Sequence, residues 1–460
     1  MMKPADYLTP ADSVDDVTPR FGDEWPGVVV RSVDVARSIP AISAWDDNGR
    51  RIETARVLVR VFDEPLGIAE VRVGGDGASR AAVASVLDRR FGDQIRSRFV
   101  QAAVDSAEFA AGLPLDGVRP STKPAYLEAR QRLLVDPPRV TVAVCTRDRP
   151  ESLRLCLTSL LGLDYPRVDL LVVDNAPSDS TSRDVVTDVD SGHRIRYVVE
   201  ARPGVSWARN RAIAEAGNDF IAYVDDDEVV DPHWLTEVVR AFTEVPGVDA
   251  VSGPMVAAEL VTRAQVWFEM YGGHNKGKTN ERRVYDPANG MEQSPYYPLP
   301  PFGTGGNMAF RRAALVGIGG FDTALGAGSP AAGAEDTLVF SRILAAGGSM
   351  VYQPTAVVWH YHRRTYDALR RQLQGYGSGL TGYYVALALE NPRTLFELVR
   401  LLPRAWHDFR HPEGLRSGSL SADFPEDLMS ANRRGLASGP WLYLRGRWAL
   451  RRAPQSGFKP

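Results

Sequence analysis

The sequence predicts an α/β protein built around a mostly parallel sheet, and three observations predict it. From Val140 onward, short apolar runs alternate with helical patterns. Several of those runs stop abruptly on acidic or polar residues, and the segments before residue 138 and after residue 363 break the alternation. The apolar runs are "VTVAV", "VDLLVVD", "IRYVVE" and "FIAYV", and the helical patterns include "ESLRLCLTSLLG", "VSWARNRAIAEA" and "HWLTEVVRAF". Strands separated by helical segments of that length need crossover connections, which place them parallel. Ligands of such sheets bind beyond the carboxyl ends of the strands. The residues at those ends are "CTRDRP" (145–150), "DNAPSD" (174–179) and "DDDE" (225–228), so polar groups converge on one edge.

Ahead of this core, "ARVLVRVFDEPLGIAEVRV" (55–73) reads as two strands joined at Glu64, Pro65, Leu66 and Gly67, followed by a helix over 79–93 and by "FGDQIRSRFV". Residues 1–20 are polar and loose, and a second helix, "AYLEARQRLL", leads into "DPPRV". Residues 1–137 therefore form a small α+β module of unknown role, 138–363 the main α/β domain, and 364–460 a helical region beginning with "YDALRRQLQGYG" and "PRTLFELVRLLPRAW". At 460 residues, a division into about two or three domains is expected.

The composition excludes several classes. With 54 Lys+Arg against 57 Asp+Glu the net charge is near −3, so nucleic acid is not an expected partner of the whole chain. The acidic start "MMKPADYLTPADSVDDVTPR" lacks the apolar stretch of a secretory signal, and no apolar run reaches the roughly 18 residues needed to span a bilayer. Cys145 and Cys156 are the only cysteines and sit in one strand and helix unit, which fits a reducing cytoplasm.

The chemistry starts at "FIAYVDDDEVVDPHW" (220–234), where an apolar strand runs into Asp225, Asp226, Asp227 and Glu228. Four like charges in a row either fan out into water or are drawn together by a cation. In an extended chain Asp225 and Asp227 share a side and Asp226 faces away. Two carboxylates on one side suit manganese or magnesium, which take hard oxygen ligands and can share them with a diphosphate. The blander alternative is a solvated turn before a helix capped by Asp231. Downstream, "AGAEDTLVFSRILAAGG" puts Glu335 and Asp336 at the start of an amphipathic helix, where the helix dipole alone would favour acids. In "TAVVWHYHRR", His360 and His362 follow a short strand, two of only seven histidines.

Taken together and in order, "VAVCTRDRPESLRLCLTSLL", "LLVVDNAPSD", "GVSWARNRAIAEAGNDFIAYVDDDEVVDPHWL", "GTGGNMAFRRAALVGIGGFD", "EDTLVFSRILAAGG" and "VVWHYHRR" resemble the family 2 inverting glycosyltransferases of the GT-A fold. The resemblance covers about half the chain, from Val140 to His362. It implies a hexosyltransferase-like enzyme using a UDP-, dTDP- or GDP-sugar, a manganese or magnesium ion, and an acceptor hydroxyl on a glycan, glycolipid or natural product. By position, it implies that Thr146 and Arg147 contact the nucleotide and that Asp174 reads its base or ribose. Asp225 and Asp227 match the ends of the Asp-x-Asp motif, with Asp227 the direct metal ligand and Asp225 shared between nucleotide and metal. Gly305, Gly306 and Asn307 match the loop lining the sugar and acceptor. Asp336 matches the catalytic base, Glu335 its acidic neighbour, and His360 a further metal ligand, with His362 the lesser candidate. One departure stands out: where the family commonly has two acids followed by Gly-Ser, this chain has Asp174, Asn175, Ala176 and Pro177.

Inverting transfer needs a base on one face of the sugar and charge neutralisation on the other, which Asp336 and a cation near Asp227 would supply. Processive relatives add membrane spans and a QxxRW-type motif, and neither is visible here. Two other readings remain open. A sugar-phosphate nucleotidyltransferase would want a glycine-rich loop near its first strand, which "CTRDRPESL" lacks; a non-catalytic nucleotide-sugar-binding protein would need no base. Beyond Asp427 no acid occurs, while Arg433, Arg434, Arg445, Arg447, Arg451, Arg452 and Lys459 alternate with Trp441, Leu442, Tyr443, Leu444 and Trp448. That tail either packs on the domain or makes a peripheral contact with the inner face of the plasma membrane, where a lipid-linked acceptor would lie.

Overall fold

The structure, a computed structural model, describes residues 27–190, 192, 194–274, 280–291, 293–297, 302–410 and 424–452. The loose stretch expected at residues 1–20 and the end of the tail at 453–460 lie outside the described residues. The chain divides into two compact units. One holds Met1–Pro137, Ala257–Val266 and His360–Tyr366; the other holds Pro138–Val256, Trp267–Trp359 and Asp367–Pro460.

In the first unit, β1 (Val28–Asp34), β2 (Thr54–Val61) and β3 (Glu64–Arg72) form a sheet in the order β1-β2-β3. β1 runs parallel to β2 and β2 antiparallel to β3. Helix α1 (Arg80–Gln101) is followed by α2 (Ala125–Leu133). Val83, Leu87, Phe91, Ile95 and Phe99 recur every fourth residue along α1 and are all buried in one apolar cluster with Val57, Val59 and Val61. The Ser79 side chain caps α1 by accepting from the Ala82 amide at 3.2 Å.

Two expectations need correction here. The turn between β2 and β3 is at Phe62 and Asp63, not at Glu64–Gly67, which lie inside β3. Phe62 and Asp63 both take positive φ, 49° and 65°, and the Asp34 carboxylate accepts both their amides, at 3.1 and 2.8 Å. The side chain of Asp34 thus fixes a left-handed turn that Pro65 and Gly67 seemed to signal three residues later. The helix expected over 79–93 continues to Gln101 and absorbs "FGDQIRSRFV", because its apolar period does not break.

The rest of the chain runs in order β4 (Val140–Thr146), α3 (Pro150–Leu161), β5 (Val168–Asn175), α4 (Thr181–Val189), β6 (Ile195–Glu200), α5 (Val205–Glu215), β7 (Phe220–Asp225) and β8 (Glu228–Val230). Then come α6 (Trp234–Glu244), β9 (Val248–Ser252), β10 (Met255–Ala257), α7 (Arg263–Met270), β11 (Arg283–Tyr285), β12 (Met308–Arg311), α8 (Arg312–Gly317), α9 (Glu335–Ala345), β13 (Ser349–Tyr352) and β14 (Val358–His360). The chain closes with α10 (Tyr366–Glu390), α11 (Thr394–Arg410) and α12 (Glu426–Arg452).

An eight-stranded sheet in the order β11-β13-β9-β12-β7-β4-β5-β6 forms the body of the second unit. β6, β5, β4 and β7 are parallel; β12 is antiparallel to both β7 and β9, and β13 is parallel to β9. Val140, Val142, Val144, Leu171 and Val173 are almost completely buried, as a sheet covered by helices on both faces requires. The chain moves outward through β4, β5 and β6, then returns through α5 to lay β7 on the other side of β4. Neighbouring connections therefore diverge between β4 and β7, and the crevice this opens lies beyond Thr146 and Asp225.

The C-terminal helices meet through small residues. A methyl group on Gly435 would overlap the Gln374 carbonyl, and one on Gly377 would overlap that of Asn432, so α10 and α12 approach more closely than side chains would allow. Leu428, Ala431 and Tyr443 fill the same face of α12, and Tyr443 donates to Asp322 at 2.7 Å. Trp441, Leu444 and Trp448 face outward, at 68%, 43% and 54% exposure. The tail thus packs by its glycines and Tyr443, while its two tryptophans stay at the surface.

Candidate active site

The acidic run sits where β7 ends. Asp225 is the last residue of that strand, Asp226 and Asp227 make a turn, and Glu228 opens β8. Because the chain leaves the extended conformation after Asp225, the expected alternation does not hold. Asp226 and Asp227 share one cation, Arg149, whose two Nη atoms donate to them at 2.6 and 2.9 Å. Thr146 adds its hydroxyl to Asp226 at 2.8 Å. Asp225 turns instead to Arg209, at 3.0 Å, and its amide donates to Glu228 at 2.9 Å.

Burial sets the electrostatics. Asp226, Asp227 and Glu228 are nearly inaccessible. Burial raises the Asp226 carboxyl to about 7 even with Arg149 beside it, and raises Glu228 well above the usual carboxylate range. Burial works against the charge of Arg149, but Asp227 and Asp226 outweigh it and hold the guanidinium more firmly protonated than usual.

Helix α9 supplies the second acidic group. Ala334 before it has φ of 64°, a left-handed conformation that costs a non-glycine residue about 1–2 kcal/mol and aims the first turn. Glu335 is buried and accepts from Arg209 Nη1 at 2.6 Å; burial, opposed by Arg209 and reinforced by Asp336, lifts its carboxyl to about 7. Asp336 is half-buried, and its Oδ1 accepts from the Thr337 amide at 2.6 Å and the Thr337 hydroxyl at 3.2 Å. Its Oδ2 turns the other way, 3.3 Å from where a β-carbon on Gly305 would stand.

Arg209 ties these parts together. It is 2% exposed, bridges Asp225 and Glu335, and donates to the Gly305 carbonyl at 3.1 Å. The Gly305–Gly306 turn fits only because it lacks side chains: a methyl on Gly306 would overlap Glu228 Oε1. Asn307, expected to line the sugar site, is completely buried. Its amide accepts from Trp234 at 2.9 Å and donates to Pro254 and Ala356 at 2.9 and 2.8 Å, so it braces the turn from behind.

On the other flank, Asp174 near the end of β5 is wholly buried. Tyr197 donates to its Oδ2, while Oδ1 lacks a partner in normal hydrogen-bond geometry. Burial, against the help of Tyr197, raises its carboxyl. Asn175, which stands where a second acid is common, accepts from the Gly204 amide and donates to the Arg202 carbonyl, both at 2.7 Å, and so pins the loop before α5. Arg147 is exposed beside Asp148. His360 and His362 belong to the first unit, where both are buried with their Nδ1 atoms 2.7 Å apart and the His362 carbonyl accepts from Gln265 at 3.2 Å.

Sequence reasoning missed Arg149 and Arg209. The signal for Arg209 was present: in "VSWARNRAIAE" it shares a helix face with Ser206, Ala212 and Ile213, all buried. A cation in an otherwise small and apolar stripe marks a buried ion pair. For Arg149 the proline after it, which starts α3, fixes it at the mouth of the crevice.

The eight-stranded sheet, its switch point and the acids gathered there make an α/β domain with a candidate ligand crevice at one sheet edge. Residues 141–319 match the family described as Glycosyl transferase family 2. It is 26% identical over 258 residues to the glucosyl-dolichyl phosphate glucuronosyltransferase of Haloferax volcanii, a match covering 52% of this chain and 75% of that one. It is 30% identical over 227 residues to the succinoglycan biosynthesis protein ExoM of Rhizobium meliloti, covering 48% and 65%. Other matches span as little as 13% of the relative's length. A solved mannosyltransferase from Pyrobaculum calidifontis, in complex with GDP-mannose and Mn2+, shares 21% identity at a TM-score of 0.40, covering 73% of this chain and 83% of that one, a likeness too distant to transfer any role.

Proposed function

We propose that this chain is an inverting, divalent-cation-dependent glycosyltransferase that moves a sugar from a nucleoside-diphosphate donor to an acceptor hydroxyl. One observation carries the reading: Arg209 joins Asp225 to Glu335, two acids far apart in sequence, and so brings the acidic turn and the acidic helix start to either side of the Gly305–Gly306 turn. A sugar lying on that glycine turn would have a carboxylate cluster at one end and Asp336 at the other.

In this reading the acceptor oxygen attacks the anomeric carbon as the bond to diphosphate breaks. Asp336 takes the acceptor proton, and the nucleoside diphosphate leaves with the bonding pair. Asp336 is assigned the base because Thr337 holds one oxygen and leaves Oδ2 toward the turn, whereas Glu335 is committed to Arg209. Asp174, whose Oδ1 is buried without a hydrogen-bond partner, is assigned to the base or ribose, and Thr146, its register partner at the end of β4, and Arg147 after it flank the same sheet edge. Arg149 draws Asp226 and Asp227 together and orients them.

The carboxylates of Asp225 and Asp227 are hard oxygen donors, and Glu228 Oε1 beside them is buried without a hydrogen-bond partner, so the set fits magnesium or manganese. Such an ion would offset the charge on the departing diphosphate. The fit rests on these carboxylates, with His360 kept as the further ligand the reading assigns. The reading divides the chain into 1–137, a catalytic domain over 138–363, and a helical 364–460. Relatives named for succinoglycan biosynthesis and for a dolichyl phosphate substrate favour a glycan or lipid-linked acceptor.

The test is a panel of UDP-, dTDP- and GDP-sugars, assayed for hydrolysis and transfer with manganese, with magnesium and with excess chelator. Turnover confined to one donor and abolished by chelation is expected. Binding without any turnover would leave a nucleotide-sugar-binding protein, and full activity in chelator would remove the metal from the reading.

A further inference from the structure

Eight of the fourteen large apolar side chains exposed among the described residues lie between Leu389 and Trp448, so the apolar surface is concentrated on the last helices. On α11, Leu395, Phe396, Val399 and Leu402 are 51–67% exposed and form one stripe. On α12, Trp441, Leu444 and Trp448 fall at intervals of three and four, opposite the face that buries Gly439, Tyr443 and Gly446. Arginines border both stripes: Arg393, Arg400 and Arg404 on or beside α11, and Arg433, Arg434, Arg445, Arg451 and Arg452 on α12, all exposed. Glu397 is the one acid between Thr394 and Arg404, and none occurs from Leu428 to Arg452. The two helices are neighbours, since Thr394 of α11 and Arg447, Leu450 and Arg451 of α12 line the same open cavity.

We propose that the outward faces of α11 and α12 dock on an anionic bilayer surface, with the tryptophans and Phe396 in the headgroup region and the arginines on the lipid phosphates. Charge complementarity selects this occupant. A second copy would set the same arginines against each other, whereas an anionic leaflet attracts each basic residue brought near it. Indole rings favour the level of the headgroups, where an apolar body and a polar N–H are both satisfied. Among the described residues no helix is long and apolar enough to cross a membrane, so the contact is one of helices lying in the interface. This goes beyond sugar transfer and does not depend on it.

The experiment is sedimentation of the full chain with vesicles of phosphatidylglycerol and phosphatidylcholine in equal parts, and with phosphatidylcholine alone. Binding to the first at low salt, at least about tenfold weaker binding to the second, and release as salt rises are expected. The variant Phe396→Ser/Trp441→Ser/Trp448→Ser, altered only at exposed positions, should unfold at the parent temperature and bind at least about tenfold more weakly. Arg445→Glu/Arg451→Glu/Arg452→Glu should lose the preference for anionic lipid. Absence of binding, equal binding to both vesicles, or unaltered binding by the serine variant would overturn the proposal. So would a dimer in light scattering that the serine variant dissolves, which gives the surface to a second copy. Binding to polyglutamate as strong as to anionic vesicles would likewise give it to an acidic protein.

Discussion

Arg209 holds a full positive charge at 2% exposure, which is tolerable only because Asp225 and Glu335 share it. Removing one member of such a buried set leaves uncompensated charge and costs about 3–5 kcal/mol. Arg209→Ala should therefore lower stability by that amount in urea unfolding. Arg209→Lys keeps the charge but replaces a planar fork by a point, so it should fold and lose about ten- to a hundredfold in turnover, the worth of one charged hydrogen bond. An Arg209→Lys enzyme with parental turnover would show that the bridge does not position the acids. Glu335 adds a pH dependence. Its carboxyl lies near 7 in the folded chain, above the 4.5 usual for glutamate, so the folded state holds the proton more tightly than the unfolded state does. The stability this contributes is complete below about pH 4.5 and is lost as pH rises through about 7. Between pH 5 and 8 the melting temperature of Glu335→Gln should consequently gain on that of the parent; a constant difference would contradict the raised carboxyl. At this scale the acids were legible because four in a row after an apolar strand demand an explanation. Of their arginines, Arg209 was legible from the small, apolar helix stripe it shares with Ser206, Ala212 and Ile213, whereas nothing local showed that Arg149 turns to Asp226 and Asp227.

At the scale of elements, legibility followed how much of a segment is decided locally. β4, β5 and β7 were visible because strands covered on both faces read as unbroken apolar runs. The β2–β3 turn was misplaced because its cause, the Asp34 carboxylate, comes from a strand 28 residues away. Contact between α10 and α12 was invisible for the same reason: glycines at 377, 435 and 439 look helix-breaking until the partner backbone is placed against them. Their packing role predicts a steep response to size. Gly435→Val should force the helices apart and cost about 1–3 kcal/mol or more, the usual penalty of overpacking, whereas Ala437→Val on the exposed side should cost under about 1 kcal/mol. Denaturant unfolding of the two variants measures the difference, and equal effects would mean that α12 is not held by this contact.

For the whole molecule, the order of the strands matters more than any one of them. Only after the chain returns to lay β7 beside β4 do Thr146, Arg149 and the acidic turn meet, and only then can α9, reached after a further hundred or so residues, set Glu335 against Arg209. The alternation of strands and helices announced this topology, while the partition of the chain did not show in it: His360 and His362, adjacent in sequence to the core, belong to the other compact unit. In the proposed reading the acids assigned to the donor and the acid assigned as base stand on separate segments, so binding and turnover should be separable by mutation. A nucleoside diphosphate should raise the melting temperature of the parent only when manganese or magnesium is present, because Asp225 and Asp227 repel a bare diphosphate. Asp227→Ala should abolish that shift together with turnover. Asp336→Asn should keep the shift and lose turnover by at least about a hundredfold, the typical contribution of a positioned base. Thermal shift and initial rates on the same samples decide the matter: an Asp336→Asn enzyme with normal turnover would move the base elsewhere, and a metal-independent shift in the parent would mean that Arg149, already paired with Asp226 and Asp227, provides the only cation the diphosphate needs.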